Sequence, residues 1–435
     1  MTFSNFNKNE KSILGFFKKK FTLILCVAIV ALILIIFGIK YYFWFNDALR
    51  DIYLKNFDKE RYNAFLDLNK SLFTIGGGVL ASIGLMLAYI RSKASQKSAD
   101  AATKASEVAS LTQLSESFSR ALEQLASDKI EIRLGGIYTL DHIAEISEKY
   151  QPTVLEILCS FIREHCKKSE VRSEQESQNI VNPKTDIQSI ITIIGEKKYY
   201  LDKNINLKNT NLIDYSFFNL KFQKANFSGS LLDYAQFPYT NLKEAIFTTA
   251  HLQGAHFIEA HLQGAHFESA HLEEADLEKA HLEGAYLGRA RLEGAHFEEA
   301  HLEEADLEYG LLQEAHLRGA HLERARLGGA HIEGARLEMA CLEGAQLQKV
   351  HFERANLESA NLKGANLKGA HFKGANLESA NLEGANLERA NLEDVYGITE
   401  IQLSKVYTLY EADLDPEMEK NLKSKHPHLF EKPKK

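Results

Sequence analysis

The chain has 435 residues, of which 45% are hydrophobic and 25% charged, with 26 glycines, six prolines and four cysteines. Its formal charge of −8 supplies no general basic face for nucleic acid. The cysteines (Cys26, Cys159, Cys166, Cys341) form no CxxC pair and no disulfide-rich density, which reads as a reducing compartment, and the length suits two or three structural units.

Residues 1–20 are basic, with Lys8, Lys11 and Lys18 to Lys20. The segment "FTLILCVAIVALILIIFGI" at 21–39 carries no charge and the aromatic "KYYFWF" follows, so 21–45 reads as a first transmembrane helix. "SLFTIGGGVLASIGLMLAYI" at 71–90, between Lys70 and Arg91, reads as a second. At about 1.5 Å per residue, each covers the roughly 30 Å hydrocarbon layer of a bilayer. A cleaved signal peptide fits poorly, because the apolar run is long and no small-residue cleavage site follows. Residues 46–70 are then a connecting loop with five basic and five acidic side chains, and both ends of the hairpin face the cytoplasm. Gly77 with Ala81, and Gly78 with Ser82, are small-xxx-small pairs that favour a homo-oligomer through the second span.

Residues 91–200 read as an α-helical juxtamembrane domain. Val108, Leu111, Leu114, Phe118, Leu122 and Leu125 recur at helical spacing. "RLGGIYTLDHIAEISEKYQPTVLEILCSFIREH" (133–165) predicts two helices broken near Gln151-Pro152. "KTDIQSIITIIG" (184–195) predicts another, capped at Thr185 or Asp186 and closed by Gly195. The polar stretch 167–183 between them reads as a flexible loop. Asp141-His142 and Glu164-His165 pair an acid with an imidazole, but on helices such pairs form a solvated face, and no catalytic residue is assigned.

From Leu207 to Leu392 every fifth residue, 38 positions, is Leu, Phe or, once, Ile332. Two residues earlier, from Ala245 to Ala390, 28 of 30 positions are Ala; Gly310 and Val350 are the exceptions. A period of five fits neither an α-helix nor a flat strand. It fits a short extended piece followed by a corner, with Ala and Leu on one side and the residue between them on the other. A chain turning the same way every five residues winds into a solenoid, 201–395, with coils about 4.8 Å apart. The predicted core includes Leu252, Leu262, Leu272, Leu282, Leu292 and Leu302, with Ala255, Ala265 and Ala275. Phe at 217, 227, 237, 247, 257 and 267, spaced by ten, stacks on two opposite faces if each coil has four. An alternative source of that spacing is duplication of a ten-residue unit, visible in "HLQGAHFIEA" and "HLQGAHFESA".

The unit Ala-x-Leu-x-x is similar to the pentapeptide-repeat motif A(D/N)LXX. "ALEQLASDKIEIRLGGIYTLDHIA", "VLEILCSFIRE" and "DIQSIITIIG" resemble the helical region of bacterial membrane-anchored pentapeptide-repeat proteins. "LSKVYTLYEADLDPEMEKNLKSKHPHLFEKPKK" resembles their C-terminal cap, here 396–435. The resemblance implies a transmembrane α-hairpin, a small α-helical domain and a right-handed quadrilateral parallel β-helix with a helical cap. It also implies a bacterial inner membrane, crossed more than once, with the repeat in the cytoplasm. For this branch it implies no known activity.

Thirteen of the 17 histidines stand immediately before the central Leu or Phe, where side chains face outward. A 20-residue coil puts His261, His281, His301 and His321 in one column with Cys341 above them, beside Glu283, Glu303, Glu323 and Glu343. Stacked imidazoles are possible ligands for Zn²⁺ or Ni²⁺. An exposed column lacks an enclosed shell, however, and the plainer reading is that His replaces the usual Asn or Asp as a polar outward residue; no metal or cofactor is assigned. Residues 251–394 hold 26 acidic and 13 basic side chains alongside 13 histidines, so a pH-responsive surface is a further reading. The favoured function is a non-enzymatic membrane-tethered scaffold for an unidentified protein partner, without nucleic acid, since no P-loop, nucleophile elbow or GxGxxG is present. The competing one is an acidic DNA-mimic rod, as the resemblance to gyrase-protecting pentapeptide-repeat proteins implies.

Overall fold

The computed structural model describes residues 59–168, 184–201 and 203–433, together with isolated residues between 29 and 44. Two compact units divide the chain, Met1–Ala109 and Ser110–Lys435.

The first described helix, α1, runs from Lys59 to Leu125 without a break. It therefore begins inside the stretch expected to be a connecting loop, and 59–70 are already helical. The second apolar segment lies within α1. Its continuously described side chains, 77–90, span about 21 Å of helix. Among the described residues no helix is long and apolar enough to cross a membrane. The predicted first span, 21–45, falls almost wholly outside those residues, as does the polar loop 169–183. Along 77–90 the apolar side chains Val79, Leu80, Ile83, Leu85, Met86 and Ile90 are all exposed.

In the second unit, three helices form a block on the first turn of the solenoid: α2 (Ile130–Ile146), α3 (Gln151–His165) and α4 (Thr185–Glu196). Pro152 lies in the first turn of α3, where its missing N–H costs nothing. Val154, Leu155, Leu158 and Ile162 of α3 and Ile187, Ile190, Ile191 and Ile194 of α4 are buried at three- and four-residue spacing. No side chain caps α4. Asp186 instead accepts from Ile187 N–H and pairs with Arg133. Gly195 does not close the helix either; it sits within α4, where a Cβ would lie 2.6 Å from Leu220 Cβ. A glycine here brings helix and solenoid into direct contact.

Parallel bridges join residues exactly one coil of 20 apart, from Asn206 with Asn226 to Asn376 with Tyr396, so each coil has four faces. The ladder is regular. Leu302 N–H donates to His321 O at 2.7 Å, and His301 N–H donates to Ala280 O at 2.9 Å. Each Leu, Phe and Ala of the predicted core, Leu252 to Leu302 and Ala255 to Ala275 included, is fully buried. The Phe side chains stack as ten-residue spacing on four faces requires. Phe217 lies 4.6 Å from Phe237, Phe237 4.8 Å from Phe257, and on the other face Phe227 lies 5.1 Å from Phe247. Where the Ala pattern fails in the first coils, Thr210, Ser230 and Thr240 are buried, but their hydroxyls donate to Leu207 O, Leu207 O and Phe217 O. Corners place every fifth residue at positive φ, as at Glu304 (59°) and Gly294 (66°).

An open solenoid end exposes unpaired backbone groups on all four faces. At the first coil each face is answered. Arg163 donates to Asn206 O, Cys166 O accepts from Asn211 N–H, Gln188 bonds both N–H and C=O of Ser216, and Gly195 O accepts from Lys221 N–H. At the other end, α5 (Glu400–Leu403) opens on a capping box between Thr399 and Gln402, and Gln402 Nε2 donates to Leu377 O and Ala380 O. The last bridges, Asn386 with Thr408 and Asn391 with Asp413, step by 22 residues because α5 enlarges that coil. The cap continues through α6, Pro416–Lys425, into a short turn at Pro427–Phe430, where Leu429 O accepts from Leu409 N–H.

Candidate functional site

The residue before each central Leu or Phe forms the ladder and turns its side chain outward, so four columns run along the solenoid. One contains His261, His281, His301, His321 and Cys341, the candidates singled out in the sequence. Their rings stack: His261 to His281 at 5.1 Å, His281 to His301 at 4.9 Å and His301 to His321 at 4.8 Å, the last pair within 4° of parallel. A second column repeats this at His331, His351 and His371, with spacings of 4.5 and 4.9 Å.

Beside the imidazoles runs a column of carboxylates two residues further along. His301 Nδ1 lies 3.2 Å from Glu303 Oε1, His331 Nδ1 2.9 Å from Glu333 and His351 Nδ1 3.3 Å from Glu353. The second oxygens of Glu283, Glu303, Glu323, Glu333 and Glu353 are buried and have no hydrogen-bond partner in the protein.

The column is uneven in chemistry. His261 has Gln263 where later rungs have Glu, and burial, followed by His281 and Lys243, holds its pKa below the ordinary imidazole value. Burial, then the Glu323 and Glu343 charges, pushes the Cys341 thiol up, which keeps it protonated and a poor ligand. Among the described residues, side chains whose donor atoms all come within 4.8 Å group as His301-Glu303-His321, His321-Glu323-Cys341, His331-Glu333-His351 and His296-Glu298-His316. His261 and His281 join no such group. The groups at 331 and 296 escaped sequence reading, although a His-x-Glu with a second His 20 residues later marks both.

The two acid–histidine pairs of the helical block have separate fates. Asp141 is buried, accepts from Tyr199 Oη and lies 3.4 Å from Lys197, whereas His142 is exposed beside Glu145. Burial, and then the Asp141 hydrogen bond, pushes the Tyr199 hydroxyl well above its usual range. His165 stacks on Phe161 and bonds its carbonyl, while Glu164 pairs with Lys167. Asp141 is thus a packed structural carboxylate, not part of a solvated face.

The profile of the family described as pentapeptide repeats matches eight copies, over residues 211–248, 250–289, 285–309, 311–348 and 355–394. HetL, a pentapeptide-repeat protein involved in heterocyst differentiation regulation in the cyanobacterium Nostoc sp. strain PCC 7120, is 30% identical over 49% of this chain and 91% of its own, with a TM-score of 0.31. This chain belongs to the pentapeptide-repeat family. Full-length QnrB1, a plasmid-mediated fluoroquinolone resistance protein, is 19% identical over 48% of this chain and 95% of its own, with a TM-score of 0.26. Rfr23 from the cyanobacterium Cyanothece 51142 is 32% identical over 25% of this chain and 64% of its own, with a TM-score of 0.16. No curated protein matches the chain.

Proposed function

We propose that this pentapeptide-repeat protein is a non-enzymatic scaffold, tethered to a bacterial inner membrane, whose rod presents ordered side-chain columns to a protein partner in the cytoplasm. The observation that carries the reading is the division of labour in the repeat. Its Leu, Phe and Ala residues are spent inside, and the outward residues repeat at the 4.5–5.1 Å spacing of the imidazole stacks. A surface of that kind recognises by registry along a rigid edge, the way solenoids bind other proteins.

The tether rests on residues 71–90, which carry no charge, and on the exposure of the apolar side chains described within 77–90. A helix apolar on every side needs a nonpolar surrounding. Thr74 and Ser82 donate their hydroxyls to Lys70 O and Gly78 O, four residues back, which answers their polar groups within the helix. Gly77 and Gly78 favour self-association through this segment. Ion pairs such as Arg291 with Glu273 at 3.0 Å and Lys368 with Glu388 at 2.9 Å neutralise acidic rungs, which weighs against a continuous phosphate-like surface and so against DNA mimicry.

The test is proximity labelling from the full-length protein in its own membrane, with alkaline carbonate extraction alongside. The expected result is retention in the membrane pellet and a protein set that disappears when Glu283, Glu303 and Glu323 are all changed to Gln. Release by carbonate overturns the tether. A labelled set indifferent to the substitutions overturns the carboxylate column as the partner face.

A further inference from the structure

The His-Glu rungs follow one rule with one break. From His266–Glu268 to His351–Glu353 an imidazole faces the carboxylate two residues further on. At His316 that position is Arg318. His316 therefore turns to the coil beneath, and its Nδ1 lies 3.2 Å from Glu298 Oε1. His296, in that lower coil, has its own Nδ1 3.6 Å from the same oxygen. The two rings are tilted 64° apart with centroids 4.5 Å apart, unlike the parallel stacks of the other columns.

The tilt changes what the rung can hold. The His301 and His321 rings instead lie within 4° of parallel, with centroids 4.8 Å apart. Donor atoms around a tetrahedral ion with bonds of about 2.0–2.1 Å lie about 3.3–3.4 Å from one another. The separations of 3.2 and 3.6 Å at Glu298 straddle that edge length. We infer that His296, Glu298 and His316 form a binding site for one divalent transition cation of the Zn²⁺ class.

With the ring protons moved to Nε2 on metal binding, both Nδ1 atoms and Glu298 Oε1 are the ligands, and the fourth position is open to water or to a donor from a partner. Two imidazoles with one carboxylate suit Zn²⁺, Ni²⁺ or Cu²⁺ over Mg²⁺ and Ca²⁺, which take oxygen donors. Charges of both signs surround the group. Asp276, one coil below His296, adds a carboxylate, Arg336, one coil above His316, is drawn toward Glu338 at 3.8 Å, and Arg318, one coil above Glu298, is the cation that opposes a bound ion. Bound there, the ion joins two successive coils across the outer surface.

The experiment is calorimetric titration of the metal-free full-length protein, held in detergent micelles, with ZnCl₂ and separately with MgCl₂. One Zn²⁺ equivalent is expected to bind ahead of any weaker uptake. That first equivalent should weaken at least tenfold in His316→Ala and in Glu298→Gln, stay within twofold in the double variant His301→Ala with His321→Ala, and have no Mg²⁺ counterpart. Circular-dichroism melts of the metal-free variants separate loss of the site from loss of the fold. If His316→Ala melts early, the near-isosteric Glu298→Gln decides. The inference is overturned by absence of a stoichiometric Zn²⁺ event, by its survival in Glu298→Gln, or by its loss in the His301/His321 variant.

Discussion

Arg133 Nε donates to Asp186 Oδ2 at 2.7 Å, and the same guanidinium donates through Nη1 to Ser127 O and Asp128 O. One side chain thereby ties the turn after α1, the start of α2 and the start of α4 together. Asp186 is almost fully buried, and its removal leaves a largely enclosed cation with backbone carbonyls but no counter-charge. Because Gly195, in the last turn of α4, covers Lys221 N–H with its carbonyl, the effect reaches the mouth of the solenoid.

Asp186→Ala should therefore cost about 3 kcal/mol of local stability, the usual loss when one member of a buried pair is deleted. Native-state hydrogen exchange is the right measurement, since a repeat protein with caps need not unfold in one step. The amides of α4 and of Lys221 should lose protection, while those around Leu342, several coils away, keep theirs. Equal protection in variant and parent at α4 would show that the pair contributes nothing to closing the coil.

Gly135 and Gly136 stand side by side at the start of α2 and should respond in opposite directions. A Cβ on Gly136 would meet Ala121 O at 2.7 Å and Leu125 N at 2.8 Å, both backbone atoms of α1 that cannot step aside. A Cβ on Gly135 meets only Gln124 Oε1, at 3.9 Å. Gly136→Ala should destabilise the helical block by about 1–3 kcal/mol through overpacking. Gly135→Ala should stabilise it by about 0.5–1 kcal/mol, the gain from replacing glycine in an exposed helix. Thermal melts of the two single variants check the pair, and a common sign would contradict the packing described between α1 and α2.

The repeat was legible in the sequence because one local rule, apolar at every fifth position, recurs 38 times and each instance agrees with the next. Phe spaced by ten suits four faces but is equally explained by duplication of a ten-residue unit, and it is the stacking of Phe237 on Phe257 that ties the spacing to the coil. The ends were less readable. Gly195 looks like a helix terminator to a local rule, and only the approach of Leu220 and Phe222 explains it. Asp141 looks solvated on a helical wheel until Tyr199 and Lys197, nearly 60 residues on, fold over it. The His296-Glu298-His316 group was hidden for a different reason. It depends on Arg318 displacing a Glu, an exception in one rung that a periodic reading averages away.

His261 offers a pH signature separable from the other imidazoles. Burial, the His281 ring one coil above and Lys243 all disfavour its charged form, and only Glu283 opposes them. The folded protein therefore binds this proton less readily than the unfolded chain, whose imidazole titrates near pH 6.5. Above about pH 6.5 both states are neutral at this residue and stability is unaffected. As the pH falls through that value toward the depressed folded pKa, the unfolded chain gains the proton first and stability declines. His261→Gln removes the ionisation and retains a polar outward side chain next to Gln263. Between about pH 7.5 and 5.5, the melting temperature of the parent should fall further than that of the variant, with the two converging at the upper end. A parent that loses no more than His261→Gln over that interval would mean the ring protonates as freely in the coil as in water.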